Sequence, residues 1–301
     1  MILLVIPFFN EEQAIKGFLE KLTDSVNLIN KNFHFIFVDD FSNDLSSKII
    51  GEFLFSNNVK YTILKNKANR GNQYSINTGI NFIFINKLEF EKLIIMDSDG
   101  EDDPLMIEKL LNYSNKHEIV VAKRGNRNES KFVKILYFIY KLTFKVLTGS
   151  KLDFGNFTII SRKVAQEIFI KSFVHYPASL LKLKYDILKI EIDKGKRIGG
   201  FSNTNFQFLI YHAIFSIMEM SEYFFYRIIK LFVVLLTLLT LLSGYILYTK
   251  FILGITVSGW ASLSLIGIII SELVILNTLL LGIMIIYSFK KTEKIEFKKI
   301  K

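Results

Sequence analysis

The feature that most constrains this chain is a series of short, largely apolar runs, each of which ends in polar residues before a helix-like stretch begins. Runs that are apolar on both faces are typical of strands in a parallel sheet that is covered on both sides. Strands that alternate with helices predict an α/β fold with a doubly wound, mostly parallel sheet. We predict the strands of this sheet at residues 1–6, 33–38, 61–64, 93–96 and 119–122.

Polar residues follow three of the predicted strands. Asn10 lies just after the first strand, Asp39 and Asp40 end the second, and Asp97 and Asp99 follow the fourth. Since ligands of doubly wound sheets bind beyond the carboxyl ends of the strands, we predict one crevice lined by these groups. A dehydrogenase or P-loop site is not expected, because the sequence has neither a Gly-x-Gly-x-x-Gly after the first strand nor a Gly-Lys-Ser/Thr loop.

The fourth predicted strand ends in five carboxylates within the seven residues 97–103. Such dense negative charge repels itself unless a cation neutralises it, and hard divalent ions such as Mg²⁺ and Mn²⁺ prefer oxygen ligands. Asp97 and Asp99 are two residues apart on an extended segment, so their side chains point the same way and we predict that they hold Mg²⁺ or Mn²⁺. The alternatives are a solvated acidic turn and a calcium loop, although Asp102 stands where a calcium loop needs glycine.

The helix predicted after the third strand carries a small residue at every fourth position, at Gly71, Ser75 and Gly79. These three residues share one helix face, which could lie close to the sheet or to a bound phosphate. Close packing and ligand contact are both open for Ser75 and Gly79.

After the fifth strand the chain becomes strongly basic, with eight lysines and arginines but only one acid, Glu129, between residues 123 and 151. A basic stripe on an otherwise apolar helix is typical of a segment that lies in an anionic membrane interface. The alternative is a core helix with one solvated face. The stretch 130–147 is predicted to be helical, and four of its lysines fall within about 80° of one another around the axis: Lys131, Lys134, Lys141 and Lys145.

Two apolar runs near the C-terminus, 231–249 and 261–289, are each long enough to span a bilayer. Basic residues flank both outer ends, which predicts that those ends are cytoplasmic. Glu272 is the only charge in the second run, and it is either a functional group or a partner for a polar group on a neighbouring helix or subunit. We therefore predict a cytoplasmic domain (1–205), an interfacial juxtamembrane helix (206–230), two transmembrane helices (231–289) and a basic cytoplasmic tail (290–301).

The overall charge agrees with a membrane protein. The net charge is +10, and much of the basic excess lies beside the predicted membrane segments, so we expect membrane lipid and a phosphate-bearing ligand rather than nucleic acid. The sequence contains no cysteine, which excludes disulfides and thiol chemistry. The first residues enter a strand pattern without a basic leader, so no signal peptide is expected.

These motifs, taken together, resemble those of the GT-A fold glycosyltransferases of family 2. The resemblance is specifically to the membrane-tethered branch that uses polyprenyl phosphate and includes dolichyl-phosphate mannose synthase-like and bactoprenol glucosyltransferase-like enzymes. The Gln-x-x-Arg-Trp signature of processive synthases is absent, which favours transfer of a single sugar. Nearly the whole chain is covered, through the two apolar runs and the segments 6–12, 38–44, 69–79, 97–99, 123–134, 153–157 and 197–202.

The resemblance implies a donor site. Asp39 and Asp40 would hold the base and ribose of a nucleotide-sugar. Asp97 and Asp99 would hold Mg²⁺ or Mn²⁺ on its diphosphate, with Glu101 assisting. The other residues expected to contact the donor are Pro7, Asn10, Glu12 and Gly71.

The resemblance also implies an acceptor site. Arg124, Arg127 and Lys131 would bind the phosphate of a polyprenyl phosphate, and the first two are expected to be catalytic together with the metal-binding aspartates. Arg197 and Ser202 would close over the diphosphate or the acceptor. The acceptor's phosphate oxygen is ionised at neutral pH, so it needs little help from a base, and direct displacement would invert the anomeric carbon.

The chain departs from the family pattern at several positions. Phe41 stands where glycine is usual, and Glu101 stands where many relatives have glutamine. Asn156 and Thr158 replace a more usual aspartate and arginine, which bears on the contacts to the acceptor phosphate.

Other functions are open at this point. The acceptor could be a lipid-linked saccharide or another membrane glycan, in which case Asp153 or Asp102 would be the candidate base. A membrane scaffold without catalysis is a further alternative. The sugar is open, the nucleotide of the donor is UDP or GDP, and a homo-oligomer is one option for the assembly.

Overall fold

The computed structural model describes residues 1–124, 131–192, 206–254, 259–289 and 297–299. The chain divides into two compact units. The first contains residues Met1–Val146, Ser150–Met220 and Lys294–Lys301, and the second contains Leu147–Gly149 and Ser221–Glu293.

The first unit is an α/β fold built on one mixed sheet. Its described strands are β1 (Ile2–Phe8), β2 (Phe33–Asp39), β3 (Val59–Asn66), β4 (Lys92–Ile95), β5 (Ile119–Arg124), β6 (Thr158–Ser161), β7 (Ile187–Ile192) and β8 (Phe297–Lys299). The helices of this part of the chain are α1 (Ile15–Asn27), α2 (Ser46–Glu52), α3 (Asn72–Ile85), α4 (Met106–Ser114), α5 (Lys131–Thr148, whose last residues belong to the second unit), α6 (Arg162–Lys171), α7 (Tyr176–Lys182) and α8 (Phe206–Glu219).

The predicted parallel arrangement is confirmed for the first four strands. The order in the sheet is β7-β5-β6-β4-β1-β2-β3-β8, with β1 parallel to both β2 and β4, and β2 parallel to β3. In this register Val5 lies opposite Ile36 on one side and Ile95 on the other. Every residue of β1 is buried, as its continuous apolar sequence predicts.

The other half of the sheet differs from a simple doubly wound order. β6 lies between β4 and β5 and is antiparallel to both, so this half of the sheet is mixed. Ile159 of β6 therefore lies opposite Ile94 on one side and Val120 on the other. The long connection from β5 to β6 contains α5, so short-range sequence patterns do not determine where β6 pairs.

The helix α3 packs unusually close to the sheet at Gly79. A Cβ atom added to Gly79 would lie 2.5 Å from Cγ1 of Val5 and 3.3 Å from Cγ2 of Val38. Of the two alternatives for Gly79, close packing and ligand contact, the structure shows close packing. Ser75 on the same face instead accepts a hydrogen bond from the side-chain amide of Asn66 at 2.9 Å.

A strand from the C-terminal tail completes one edge of the sheet. β8 is antiparallel to β3, with Lys299 opposite Leu64 and Phe297 opposite Asn66. The tail was predicted only as a basic segment, because three residues among many lysines carry no clear strand pattern.

The second unit consists mainly of two long apolar helices, α9 (Ser221–Phe251) and α10 (Trp260–Phe289). The helical segments Ser221–Phe251 (31 residues) and Ser262–Gly282 (21 residues) contain 18-residue stretches with mean hydropathies of 2.3 and 2.2, so both are long and apolar enough to cross a membrane. The helices pack on each other at Ile246 and Ile268. The stretch 206–230, predicted as one juxtamembrane helix, is divided between α8 and the start of α9, with a break at the buried Met220.

Candidate active site

The carboxyl ends of β1, β2 and β4 meet at one edge of the sheet. Ser98 Oγ, just beyond β4, donates to the carbonyl oxygen of Pro7 in β1 at 3.0 Å. The backbone N–H of Asp40, just beyond β2, donates to the carbonyl oxygen of Phe8 at 2.9 Å. The three polar groups that the sequence placed in one crevice are therefore neighbours.

The loop after β1 is tied to the loop after β2 by side-chain hydrogen bonds. The N–H of Asn10 donates to Ser42 Oγ at 3.0 Å, and Asn10 Oδ1 accepts from the N–H of Asn43 at 2.9 Å. Glu12 Oε2 accepts from the N–H of Leu45 at 3.1 Å. Asn10 and Glu12 thus shape these loops, and their contact with a donor stays a prediction.

Asp39 is fully buried at the end of β2, and its carboxylate is surrounded by hydrogen-bond donors and a lysine. Its Oδ1 accepts from the N–H of Ser42 at 2.6 Å, and its Oδ2 accepts from Ser47 Oγ at 2.6 Å. Lys65 Nζ lies 3.4 Å from the same Oδ2. A buried carboxylate of this kind holds its loop rigidly, because breaking its contacts would leave a charge without a partner.

Asp40 organises the loop that leads into α3. Its Oδ1 accepts from Asn66 Nδ2 at 2.9 Å and from the N–H of Arg70 at 3.0 Å, and its Oδ2 accepts from the N–H of Gly71 at 2.7 Å. Gly71 has a φ of 86°, a conformation that favours glycine. The loop therefore delivers the next residue, Asn72, to the acidic strand end.

Phe41 follows these two aspartates with a φ of 68°. The left-handed region is unfavourable for a bulky residue, which explains why glycine is usual at this place in the family pattern. The departure seen in the sequence is therefore a strained residue in the structure.

Asp97 and Asp99 lie at the end of β4 in a partly buried turn. Asp97 Oδ1 accepts from Asn72 Nδ2 at 2.8 Å, and the N–H of Asp97 donates to Asp102 Oδ2 at 3.0 Å. Asp99 Oδ1 accepts from the N–H of Glu101 at 2.9 Å. Asp102 is only 1% exposed, so the acidic segment packs into the protein as an ordered turn. The alternative of a solvated acidic turn does not describe it. The calcium-loop reading is also excluded, since a strand rather than a helix precedes the turn.

Two amide side chains, those of Asn72 and Asn156, contact Asp97, and a third, that of Gln73, contacts Asn156. Of these residues only Asn156 was named from the sequence, as a departure from the family pattern. Asn156 Nδ2 donates to Asp97 Oδ1 at 3.2 Å and to Oδ2 at 3.4 Å, alongside the bond from Asn72. Gln73 Nε2 donates to Asn156 Oδ1 at 3.1 Å, and Gln73 Oε1 accepts from the N–H of Tyr176 at 2.6 Å. Asn72 and Gln73 lie within the motif at 69–79, and Asn156 lies within the motif at 153–157. Membership of these motifs was the sequence signal that could have pointed to all three residues.

A buried histidine, His175, and a half-buried one, His212, lie next to this network. His175 Nδ1 accepts from the N–H of Ala178 at 3.3 Å at the start of α7, and its Nε2 is 3.4 Å from His212 Nδ1 on α8. Burial, aided by His212, lowers the pKa of His175 to about 3. Burial also lowers the pKa of His212, while the negative charge of Asp97 opposes that shift.

Glu219 joins the end of α8 to the same region. Its Oε2 accepts from the N–H groups of Val174 at 2.7 Å and His175 at 3.3 Å, and its Oε1 accepts from Lys182 Nζ at 3.0 Å. The carboxylate is almost completely buried. Glu219 therefore fixes the turn before α7. The N–H of Tyr176, the next residue, donates to Gln73.

Asp153, a candidate base in the sequence analysis, is ion-paired. Its Oδ1 lies 2.6 Å from Lys189 Nζ, and its Oδ2 lies 3.8 Å from Lys151 Nζ. Only 6% of the side chain is exposed. Both carboxylate oxygens of Asp153 are thus engaged by lysine ammonium groups, which leaves this side chain poorly placed to contact a sugar hydroxyl.

The helix α5 exposes much of its apolar surface. Phe144 is fully buried and anchors the helix in the first unit. Tyr140 donates to or accepts from Ser216 Oγ on α8 at 2.8 Å, and burial raises the pKa of Tyr140 to about 12. The exposed apolar residues of the helix are Ile135, Phe138, Ile139, Leu142 and Val146.

Several predicted acceptor-site residues lie outside what the structure describes. Arg127, Arg197 and Ser202 are not among the described residues. Arg124 ends β5 and Lys131 begins α5, but only their backbones are described. Their roles stay predictions.

The chain belongs to glycosyl transferase family 2, whose family model matches residues 3–169, more than half of the 301 residues. The predicted family is thereby confirmed, and the protein is a glycosyltransferase. The matched residues include most of β1, all of β2 to β4, the acidic strand end and Asn156.

Two relatives illustrate what the chain resembles. An uncharacterized glycosyltransferase of Bacillus subtilis, YkcC, is 24% identical over 292 residues, covering 91% of this chain and 84% of the relative. An undecaprenyl-phosphate 4-deoxy-4-formamido-L-arabinose transferase of Pectobacterium atrosepticum is 26% identical over 153 residues, covering 50% of this chain and 45% of that enzyme. The second match agrees with the predicted resemblance to the polyprenyl-phosphate branch, over about half of each chain.

Solved structures confirm the predicted GT-A fold. Glucosyl-3-phosphoglycerate synthase from Mycobacterium tuberculosis, in complex with Mn²⁺, UDP-glucose and phosphoglyceric acid, superposes with a TM-score of 0.54. The two chains are 13% identical, and the match covers 74% of this chain and 79% of that one. At this identity the likeness concerns the fold alone.

Proposed function

We propose that this glycosyltransferase moves a single sugar from a UDP- or GDP-linked donor to polyprenyl phosphate at the cytoplasmic leaflet, with inversion of the anomeric carbon. One observation carries the proposal: Asp97 and the loops of Asp39 and Asp40 meet at one sheet edge. The same chain contains two helices that are apolar and long enough to cross a membrane. The undecaprenyl-phosphate transferases among its relatives support this acceptor class.

A divalent cation, Mg²⁺ or Mn²⁺, fits the donor atoms at the end of β4. Asp97 and Asp99 would hold it, with Glu101 assisting. Next to Asp97, the buried Oδ1 of Asn72 has no hydrogen-bond donor among the described residues, which adds a hard oxygen to the two carboxylates. The described residues contain no cluster of three or more acidic or histidine ligands, so donor phosphate oxygens would complete the coordination. When bound, the cation would neutralise the leaving diphosphate.

The proposed nucleophile is the phosphate oxygen of the acceptor. It carries its charge at neutral pH, so no side chain has to remove a proton. The two candidate bases are engaged elsewhere, since Asp153 is paired with lysines and Asp102 accepts from the backbone of Asp97. This supports a phosphate acceptor over a sugar hydroxyl, and it leaves positioning and charge stabilisation as the main contributions of the protein.

The acceptor would bind on the basic side of the first unit. We propose that Arg124, Arg127 and Lys131 hold its phosphate, and that Arg197 and Ser202 close over the diphosphate or the acceptor. The exposed apolar residues of α5 support contact with lipid, because a core helix with one solvated face would bury them.

The pairing of β8 with β3 supports a hairpin topology. β8 follows α10 in the chain, yet it lies in the same sheet as the strands that precede α9. A chain that enters the membrane after Glu219 and returns to this sheet must cross an even number of times. The basic flanks of both apolar runs support a cytoplasmic location for the sheet, and a homo-oligomer stays a prediction.

The test is sugar transfer by the full chain in proteoliposomes that contain undecaprenyl phosphate. A panel of UDP- and GDP-sugars is supplied with Mg²⁺ or Mn²⁺, and the lipid product is identified by mass spectrometry. We expect one glycosyl phospholipid with one donor, and loss of the product in Asp99→Asn but not in Asp103→Asn. Product formed only with a lipid-linked saccharide would support the alternative acceptor. No product with any acceptor, together with an unchanged cellular phenotype of Asp99→Asn, would indicate a scaffold.

A further inference from the structure

Phe41 occupies a backbone conformation that its side chain disfavours, and the surrounding contacts hold it there. Its φ is 68°. On one side the N–H of Asp40 donates to the carbonyl oxygen of Phe8, and on the other the N–H of Ser42 donates to Asp39 Oδ1 at 2.6 Å. The neighbours are pinned, so the residue cannot relax. A bulky residue in this region is a genuine outlier, and such outliers concentrate at functional sites.

The ring of Phe41 does not compensate for this strain by filling the core. The residue is 42% exposed. Lys65 Nζ lies 5.6 Å from the centre of the ring, while it also donates to the carbonyl oxygen of Ser42 at 3.0 Å and pairs with Asp39. Glycine would satisfy the backbone better, and burial gives only part of a reason to keep an aromatic side chain.

The position of the ring suggests what it contacts. Phe41 directly follows the two aspartates at the carboxyl end of β2, where the resemblance to family 2 implies that the base and ribose of the donor bind. An aromatic face gains binding energy by stacking on any nucleobase, and it makes no hydrogen bonds that would read the edge of the base. We propose that Phe41 is a stacking residue for the nucleobase of the donor and that it contributes affinity with little discrimination between uracil and guanine. This inference rests on the proposed function and deepens it.

The experiment compares Phe41→Gly, Phe41→Asn and Phe41→Tyr in the full chain in detergent. Glycine and asparagine accept a positive φ but lose the ring, whereas tyrosine keeps it. Binding of UDP, GDP and inorganic pyrophosphate is measured by calorimetry with Mn²⁺ present. We expect Kd for both nucleotides to rise about tenfold in the glycine and asparagine variants and to change less than about twofold in the tyrosine variant. Pyrophosphate, which has no base, should bind all four proteins equally.

Lys87→Gly is the matched control. Lys87 is an exposed residue with a φ of 51° in the connection from α3 to β4, at the opposite edge of the sheet. The change removes a side chain at a left-handed position without touching the donor site, so nucleotide binding should match the wild type.

The outcomes separate this inference from the proposed function. If the wild type transfers sugar but Phe41→Gly keeps its Kd for UDP and GDP, the stacking role is wrong and the proposed function stands. Equal weakening of pyrophosphate and nucleotide binding would also overturn stacking, because the ring would then act through the loop. A wild type that binds neither nucleotide would overturn both.

Discussion

The side-chain amide of Asn156 donates to both carboxylate oxygens of Asp97, at Nδ2–Oδ1 and Nδ2–Oδ2 distances of 3.2 and 3.4 Å. Gln73 fixes the orientation of that amide by donating to its oxygen. Asn156 also stands where the family pattern usually has aspartate. In this protein an amide therefore holds Asp97 in place, where a carboxylate would repel it.

Asn156→Asp should make the site more dependent on its cation. A third carboxylate would lie within about 3.5 Å of Asp97, and like charges at this distance disfavour the metal-free state. We expect the apparent Kd for Mn²⁺ to fall several-fold and the melting temperature without metal to drop. Calorimetry and thermal unfolding with and without EDTA measure both, and Asn156→Ala, which adds no charge, serves as the control. Weaker Mn²⁺ binding in Asn156→Asp would contradict this account of the site.

Gly79→Ala should destabilise the first unit by about 1–3 kcal/mol through overpacking. The new methyl group would lie 2.5 Å from Val5 Cγ1, in a strand that cannot move easily. Combining the change with Val5→Ala removes that contact, so the two substitutions should couple favourably. Gly51→Ala is the matched control, because its Cβ would meet only Ile63 Cδ1 at 3.9 Å. Additive effects of the two changes in denaturant unfolding would show that Gly79 has another role.

Asp40→Ala should lower stability more than Asp44→Ala. Asp40 is buried, and its removal leaves the N–H groups of Arg70 and Gly71 and the amide of Asn66 without their acceptor, at a cost of about 3 kcal/mol. Asp44 also accepts from two backbone N–H groups, but it is partly exposed, so water can replace it. Thermal unfolding of both variants measures their loss of stability. Equal decreases in melting temperature would mean that the burial of Asp40 is unimportant.

His175 should make the protein sensitive to mild acid. The folded state resists protonation of His175 down to about pH 3, whereas the unfolded chain takes up the proton near pH 6.5. The unfolded state therefore binds more protons throughout this window, so stability falls as the pH drops below 6.5, by about 2 kcal/mol at pH 5. His212 acts in the same direction.

His175→Asn tests this directly. Asparagine can still accept from the N–H of Ala178 and start α7, but it does not titrate. We expect the difference in melting temperature between pH 7.5 and pH 5 to be smaller in the variant than in the wild type. An unchanged difference would assign the acid sensitivity to other groups.

The sequence predicted those parts of the fold that are local. β1 to β4 are recognisable because each contains a short, mostly apolar run. Their polar ends converge because parallel neighbours bring their carboxyl ends together. The position of β6 was not predictable, since a four-residue strand that returns after a long connection can pair at several places. Asn72 and Asn156 contact Asp97 from 25 and 59 residues away, a relationship that no pattern within one segment encodes. Phe41 is different, because its departure from the family's glycine is visible in the sequence. Only the structure shows that this residue has a positive φ, which makes its backbone strained.

The pairing of β8 has a practical consequence for handling the protein. Without the last residues of the chain, the edge of β3 from Leu64 to Asn66 would present backbone N–H and C=O groups that invite a strand from another molecule. Proteolysis that removes β8 would then promote edge-to-edge self-association. Aggregation of clipped preparations should accordingly be traced first to the loss of a three-residue strand.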